Sequence, residues 1–180
     1  MIQKTYILDT NVYGEILIEK ESVKIIGRIE KDRYLFIYGV NVIEHELYDV
    51  PTDKKIKGKI FRELVLLTYK SLIDEEIILP PLADYLASQY YKKYLELRKS
   101  GKYYKLTKVK ELKYNEDDLK IDFQIIAVAS LKGVDIVVSA DKRTMLSNVA
   151  SETYNIVNKI NGLRTPKLVD YFEFRKRYLK

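Results

Sequence analysis

The stretch Ile121-Asp-Phe-Gln-Ile-Ile-Ala-Val-Ala-Ser-Leu131-Lys-Gly133-Val-Asp135-Ile-Val-Val-Ser139-Ala-Asp141 decides the fold. Up to Leu131 it is almost unbroken apolar sequence, too long for a strand, and reads as a buried helix over Leu119 to Leu131. Gly133 is its C-terminal stop, and Asp135 to Ser139 follows at once as a strand buried on both faces. A buried helix feeding a buried strand is the second half of a β-α-β crossover, which predicts a parallel sheet.

Two acids in this stretch call for an explanation. Asp122 stands in a helix most of whose faces must be buried, where even an uncharged polar group without a partner costs about 2–7 kcal/mol. Asp118 lies one turn earlier on the same side, and like charges at that spacing repel unless a cation sits near them. The plainer reading puts both on the helix's exposed edge, with Asp118 as its cap. Asp141 follows the strand at its carboxyl end, where capping a following helix is again the plain reading.

Working outward, Thr5 to Leu8 reads as a strand, and Asp9-Thr10-Asn11 after it are good helix caps. Two short helical pieces, broken near Glu21-Ser22, lead to a second strand over Tyr34 to Tyr38. A helix over Asn41 to Asp49 stops before Pro51, and Ile56, Ile60, Leu64, Leu67 and Leu72 mark a long amphipathic helix. Ile77 to Leu79 is a brief strand, Leu82 to Arg98 a helix, and residues 102–117 a basic, irregular excursion. After Asp141 we expect a short helix, a strand near Tyr154 to Val157, and a terminal helix from about Leu168. The alternation predicts an α/β fold in three layers, a central parallel sheet of about five strands with helices on both faces. Such sheets carry their sites at the strands' carboxyl ends, where Asp9 and Asp141 both fall.

Composition narrows the chemistry. The 180 residues suit one domain spanning 1–180, with a Tyr-rich basic excursion around 100–117. There is no cysteine, so thiolate sites and cysteine nucleophiles are excluded; with His45 the one histidine, histidine-based triads and histidine ligand clusters are not expected, and catalysis would fall mainly to carboxylates, lysines or hydroxyls. His45, between two glutamates, receives no role. No leader-like or bilayer-spanning apolar run occurs, so a cytoplasmic protein is expected. Net charge of +6 favours polyanionic partners. Residues 84–115 hold nine Lys or Arg, three acids and seven Tyr, a mixture that grips phosphates and stacks bases. Before Arg98 these tyrosines read equally as core.

Four segments in order resemble the PIN-domain family of metal-dependent ribonucleases. Leu8-Asp9-Thr-Asn-Val12 looks like its first acidic motif, Val42-Ile-Glu-His-Glu46-Leu47 its glutamate helix, Asp122 to Gly133 its third motif, and Ile136-Val-Val-Ser139-Ala-Asp141 its fourth. In the second, Glu46 is preferred to Glu44 because the family's glutamate precedes a leucine. The resemblance implies a PIN-like fold and a hydrolase, an endoribonuclease cutting RNA with Mg²⁺ or Mn²⁺. It also implies catalytic and metal-binding roles for Asp9, Glu46, Asp122 and Asp141, with Asp118 as an auxiliary ligand. Ser139 and Asn11 would orient the ligands or simply form the turn. The resemblance further implies RNA as substrate, and a toxin-antitoxin context with an antitoxin protein and a homodimer as partners. The alternatives are a non-catalytic RNA-binding or scaffold protein, a processing nuclease without an antitoxin, and a DNA nuclease or phosphatase.

Overall fold

The computed structural model describes residues 2–56, 58–100 and 116–179, with 116–118 as backbone only. The chain opens with β1 (Lys4–Leu8), then α1 (Thr10–Ile18) and, after a break at 19–21, α2 (Ser22–Ile29). Next come β2 (Leu35–Val40) and α3 (Asn41–Tyr48). A small antiparallel hairpin, β3 (Lys55–Ile56) and β4 (Lys59–Ile60), leads into α4 (Phe61–Leu72) and β5 (Glu75–Ile77). α5 (Pro81–Lys99), α6 (Glu116–Lys132) and β6 (Ile136–Ser139) follow. α7 (Asn148–Ile160), β7 (Lys167–Asp170) and α8 (Tyr171–Arg175) complete the described chain.

The five long-range strands form one all-parallel sheet in the order β5-β2-β1-β6-β7. Tyr6, Ile7 and Leu8 of β1 are buried in succession, as are all four residues of β6, so both sheet faces are covered. α1 packs with α2, α3 and α4, while α5 packs with α6 and α7. These two sets of helices are the outer layers, and the expected three-layer α/β fold is the one observed.

The register is locked at the sheet centre by side chains. Asp135 accepts hydrogen bonds from the Thr5 amide (3.0 Å) and hydroxyl (3.1 Å), fastening the amino end of β1 to the approach of β6. At the other end the Asp9 amide donates to the Val138 carbonyl (2.9 Å). Gly39 in β2 is required by close packing: a Cβ there would collide with the Tyr69 hydroxyl, which instead bonds the Val40 carbonyl at 3.2 Å. Gly133 closes α6 with a φ of 73°, and the Val134 amide reaches back to the Ala129 carbonyl (2.8 Å), which is why the helix stops there.

Four local expectations give way. Tyr154 to Val157 is not a strand but part of α7: Ala150, Tyr154 and Val157 form one buried helical stripe, and Ser147 caps its start. The fifth strand is β7, paired along β6 where a terminal helix was expected; its four residues are too few to show a period. Residues 141–147 are turns: Asp141 accepts from the Arg143 and Thr144 amides as a cap would, but helix begins only at Asn148, where Ser147 is the cap. The helix expected from Ile56 starts at Phe61, since the hairpin uses Ile56 and Ile60 for strand pairing, and Leu67 is 67% exposed. The excursion lies outside the described residues except at its edges, with 116 and 117 already helical.

Candidate functional site

The connections reverse direction between β1 and β6. The chain runs outward from β1 through β2 to β5, then returns to β6 and on to β7. At such a switch point the segments leaving two neighbouring strands diverge and leave a crevice at their carboxyl ends. A cleft of about 840 Å³ lies there, lined by Asp9, Glu46, Asp122 and Asp141. The structure therefore brings these four residues of the sequence reading to one place. The side chain of Asp118 lies outside the described residues. Glu44 lines no part of the cleft and pairs with Lys70 at 3.2 Å. His45 is exposed on α3.

Asp9 is 2% exposed and caps α1 by accepting from the Thr10 amide (2.8 Å). Its other oxygen accepts from the Ser139 hydroxyl (2.7 Å) and from the Asn11 amide group. Asn11 in turn accepts from the Ala140 amide (2.8 Å), and the Asp141 amide donates to Ser139 Oγ (2.9 Å). Asn11 and Ser139 thus orient the carboxylate and shape the turn together. The Thr10 hydroxyl donates to Glu46, tying α1 to α3. Thr144 Oγ1 lies 2.6 Å from Asp122 and also bonds Asp141, whose other oxygen accepts the Arg143 and Thr144 amides at 2.7 and 3.0 Å.

These surroundings split the four acids. Burial pushes Asp9 up to about 6, aided by the Glu46 charge and opposed by the Ser139, Thr10 and Asn11 donors. Asp122 is raised to about 8, by burial first and then by the charges of Asp9, Asp141 and Glu46, against the Thr144 bond. Glu46 is raised by burial, opposed by Thr10. Burial acts upward on Asp141 too, but the Thr144 hydroxyl, two backbone amides and the Arg143 charge outweigh it and hold Asp141 below the usual range. A threonine hydroxyl has one hydrogen and cannot donate to both neighbours. Its one hydrogen satisfies one of the two carboxylates, and the other is left to a proton or a cation.

Among the described residues no Lys or Arg forms an ion pair with any of the four acids. Nor do any three of them make a preassembled ligand set among the described residues; Thr144 bridges Asp122 and Asp141, while Thr10 bonds Glu46 through its hydroxyl and Asp9 through its amide. The four carboxylates facing the cleft offer oxygen donors, which suit a hard divalent cation such as Mg²⁺ or Mn²⁺.

Sequence reasoning missed Glu15, Thr144 and the far rim. Phe172, 44% exposed, lines the cleft with Lys142 and Arg143. The Arg175 guanidinium lies 4.6 Å and the Lys142 ammonium 5.4 Å from its ring centre, and Lys142 also pairs with Asp170 at 2.9 Å. Thr144 had a signal, three residues after an acid in a turn. Phe172 had none, because β7 alone brings it there. Of the tyrosines read as a base-stacking surface, Tyr90 and Tyr94 are buried in an aromatic cluster with Phe123 and cannot stack on a ligand; Tyr85 is exposed. No helix among the described residues is long and apolar enough to cross a membrane.

No family model and no curated protein matches this chain. Among solved structures it is similar to "Crystal structure of VapBC2 from Rickettsia felis bound to a DNA fragment from their promoter", with 13% identity, coverage of 92% of this chain and 98% of that one, and a TM-score of 0.42.

Proposed function

We propose that the chain is a metal-dependent endoribonuclease, with Asp9, Glu46, Asp122 and Asp141 as the residues that hold a Mg²⁺ or Mn²⁺ ion. The observation that supports this most is the electrostatics of the switch-point cleft. Four acids share it with no ion pair to a Lys or Arg among the described residues, and burial and mutual repulsion drive two of them to about 6 and about 8. Such an arrangement disfavours the folded state unless something positive enters, and strongly perturbed groups in a cleft mark functional sites.

When bound, the ion neutralises the cluster and offsets the charge on a phosphodiester under attack. The chain's own residues do the rest. Ser139, Asn11 and the Thr10 amide fix both oxygens of Asp9, so it is oriented before anything binds. Thr144 and two amides keep Asp141 ionised, ready to accept a cation without first losing a proton. Asp122 carries the proton that must leave as the cluster fills, and Thr144 is the group beside it. Lys142 and Arg143 on the rim lower the repulsion that four carboxylates present to a phosphate. Asp118 joins as an auxiliary ligand on the strength of its place one turn before Asp122.

RNA as substrate, and an antitoxin-like inhibitory partner, come from the motif resemblance. The deciding experiment is cleavage of unstructured RNA with Mn²⁺ or Mg²⁺ by the parent, Asp9→Asn and Asp141→Asn. Parent cleavage lost on chelation and reduced on the order of a hundredfold or more by either substitution supports the reading. Equal rates in all three proteins sink it.

A further inference from the structure

The acidic cleft repels the polyanion it is proposed to cut, so affinity must come from cations that flank it. One unbroken run of them is Lys54-Lys-Ile-Lys-Gly-Lys-Ile-Phe-Arg62, five basic residues with no acid. The plain reading of a charge run is a solvated surface, but this one is a built element with a defined root. Lys55 pairs with Ile60 and Ile56 with Lys59, Gly58 at the turn has a φ of 77°, and the Phe61 amide closes the base on the Lys54 carbonyl at 2.8 Å. Phe61 is 6% exposed, and a Cβ on Gly14 of α1 would meet its ring at 3.5 Å.

That root rests on the two helices that form the near wall of the cleft. Gly14 precedes Glu15, which lines it, and stands about 7.5 Å along α1 from Asp9 at the helical rise. Arg62 reaches the Tyr48 carbonyl at 3.4 Å, two residues past Glu46 on α3. The Lys54 ammonium is held 4.2 Å over the Phe61 ring, whereas Lys55 and Lys59 are exposed and form no ion pair among the described residues. Lys57 lies outside the described residues. A hairpin of two-residue strands buries too little to need such a fixed position for stability, and its uncompensated charge opposes its own folding.

We propose that this hairpin is a phosphate-gripping strip for single-stranded RNA, Lys55 and Lys59 contacting the sugar-phosphate backbone of the segment that leads to the carboxylates. The inference rests on the nucleic-acid reading of the cleft, but it concerns binding and not cleavage, so the two can fail separately. Contacts of this kind carry no base specificity and make affinity steeply salt-dependent.

The test is binding of a fluorescent, unstructured 20-nucleotide RNA by anisotropy at several salt concentrations, with chelator present to prevent cleavage. Lys55→Gln/Lys59→Gln is compared with Lys4→Gln/Lys167→Gln, which removes the same charge at the opposite, amino-terminal edge of the sheet. Melting curves check that both remain folded. The expected result is about tenfold weaker binding for the hairpin variant at low salt and a slope of log affinity against log salt shallower by about 1.4. The control should show a smaller loss and an unchanged slope. Equal effects in both variants, as expected if the hairpin faces an acidic protein instead, overturn the proposal, as does a parent that binds no RNA. A parent that binds through the hairpin but cleaves nothing with Mn²⁺ sinks the nuclease reading and leaves the strip standing.

Discussion

Two polar clusters lie on the same buried helix, α6, and they solve burial in opposite ways. Towards its C-terminus Ser130 meets Tyr90 and Asn158, and Asn158 extends the cluster to Thr165. Tyr90 donates to Asn158 at 2.5 Å, and Asn158 donates to Ser130 at 2.9 Å and Thr165 at 3.1 Å. Every member is neutral, and donors match acceptors. Towards its N-terminus Asp122 meets Thr144, Asp141, Asp9 and Glu46, where one hydroxyl hydrogen is too few for two carboxylates and like charges repel. The first cluster is complete as it stands and holds α5, α6 and α7 together. The second is complete only when a proton or a cation is added. Polar burial alone therefore does not mark a function; an unfilled requirement for positive charge does.

Breaking the complete cluster should have the largest effect on stability. Asn158→Ala leaves Tyr90, Ser130 and Thr165 short of partners and should cost about 2–3 kcal/mol, lowering the melting temperature by roughly 5–10 °C. A change within error would mean that water replaces the amide and the contrast fails. The incomplete cluster should respond with the opposite sign. Asp122→Asn should raise the metal-free melting temperature, by about 1 kcal/mol or more at pH 8, while abolishing RNA cleavage. A destabilised but active variant would reverse the assignment.

The pH dependence sharpens the same contrast. Asp9 and Asp122 titrate near 6 and 8 in the fold, against 3.8 ordinarily, so between these values the folded chain binds more protons than the unfolded one. Stability from these groups is full below about pH 4 and is lost as pH rises through 6 and then 8. Asp141, held low, has the opposite sign, and its contribution is lost only in stronger acid. Thermal melts of the metal-free protein should therefore fall from pH 5 to pH 8, and Asp122→Asn should flatten the upper half. Asn158→Ala should shift the curve without changing its shape. A parent curve that rises over this range would show that the acids are compensated. The smallest effect is reserved for Glu44→Gln: its pair with the solvent-exposed Lys70 is screened by water, so the melting temperature should barely move and cleavage should not change. Glu46→Gln, two residues on, should lower cleavage sharply.

Much of this was legible in the chain. The apolar run around Asp122 and the Gly133 stop announced a buried helix and a parallel crossover, and the carboxyl-edge positions of Asp9 and Asp141 followed from that. Glu46 was separated from Glu44 by resemblance, and the Lys70 pair now gives the separation a spatial basis. What stayed hidden depended on contacts between distant segments. Thr10 and Thr144 matter because of what stands across from them, and α7 looked like a strand because its buried stripe contains adjacent apolar residues. Phe172 reaches the cleft only because β7 extends the sheet beside β6. The hairpin was folded into the expected helix because Ile56 and Ile60 also fit a helical period.

The junction of β1 with β6 also sets a schedule. Asp9 and Ser139, which share a hydrogen bond, are 130 positions apart, and Thr144 comes later still. A ribosome adding about 5–20 residues per second needs roughly 7–26 s to travel between those two partners. During that interval the nascent chain holds Asp9 without the strand that pins it. The cleft is therefore completed late in synthesis, and a fragment ending before residue 144 lacks part of its lining.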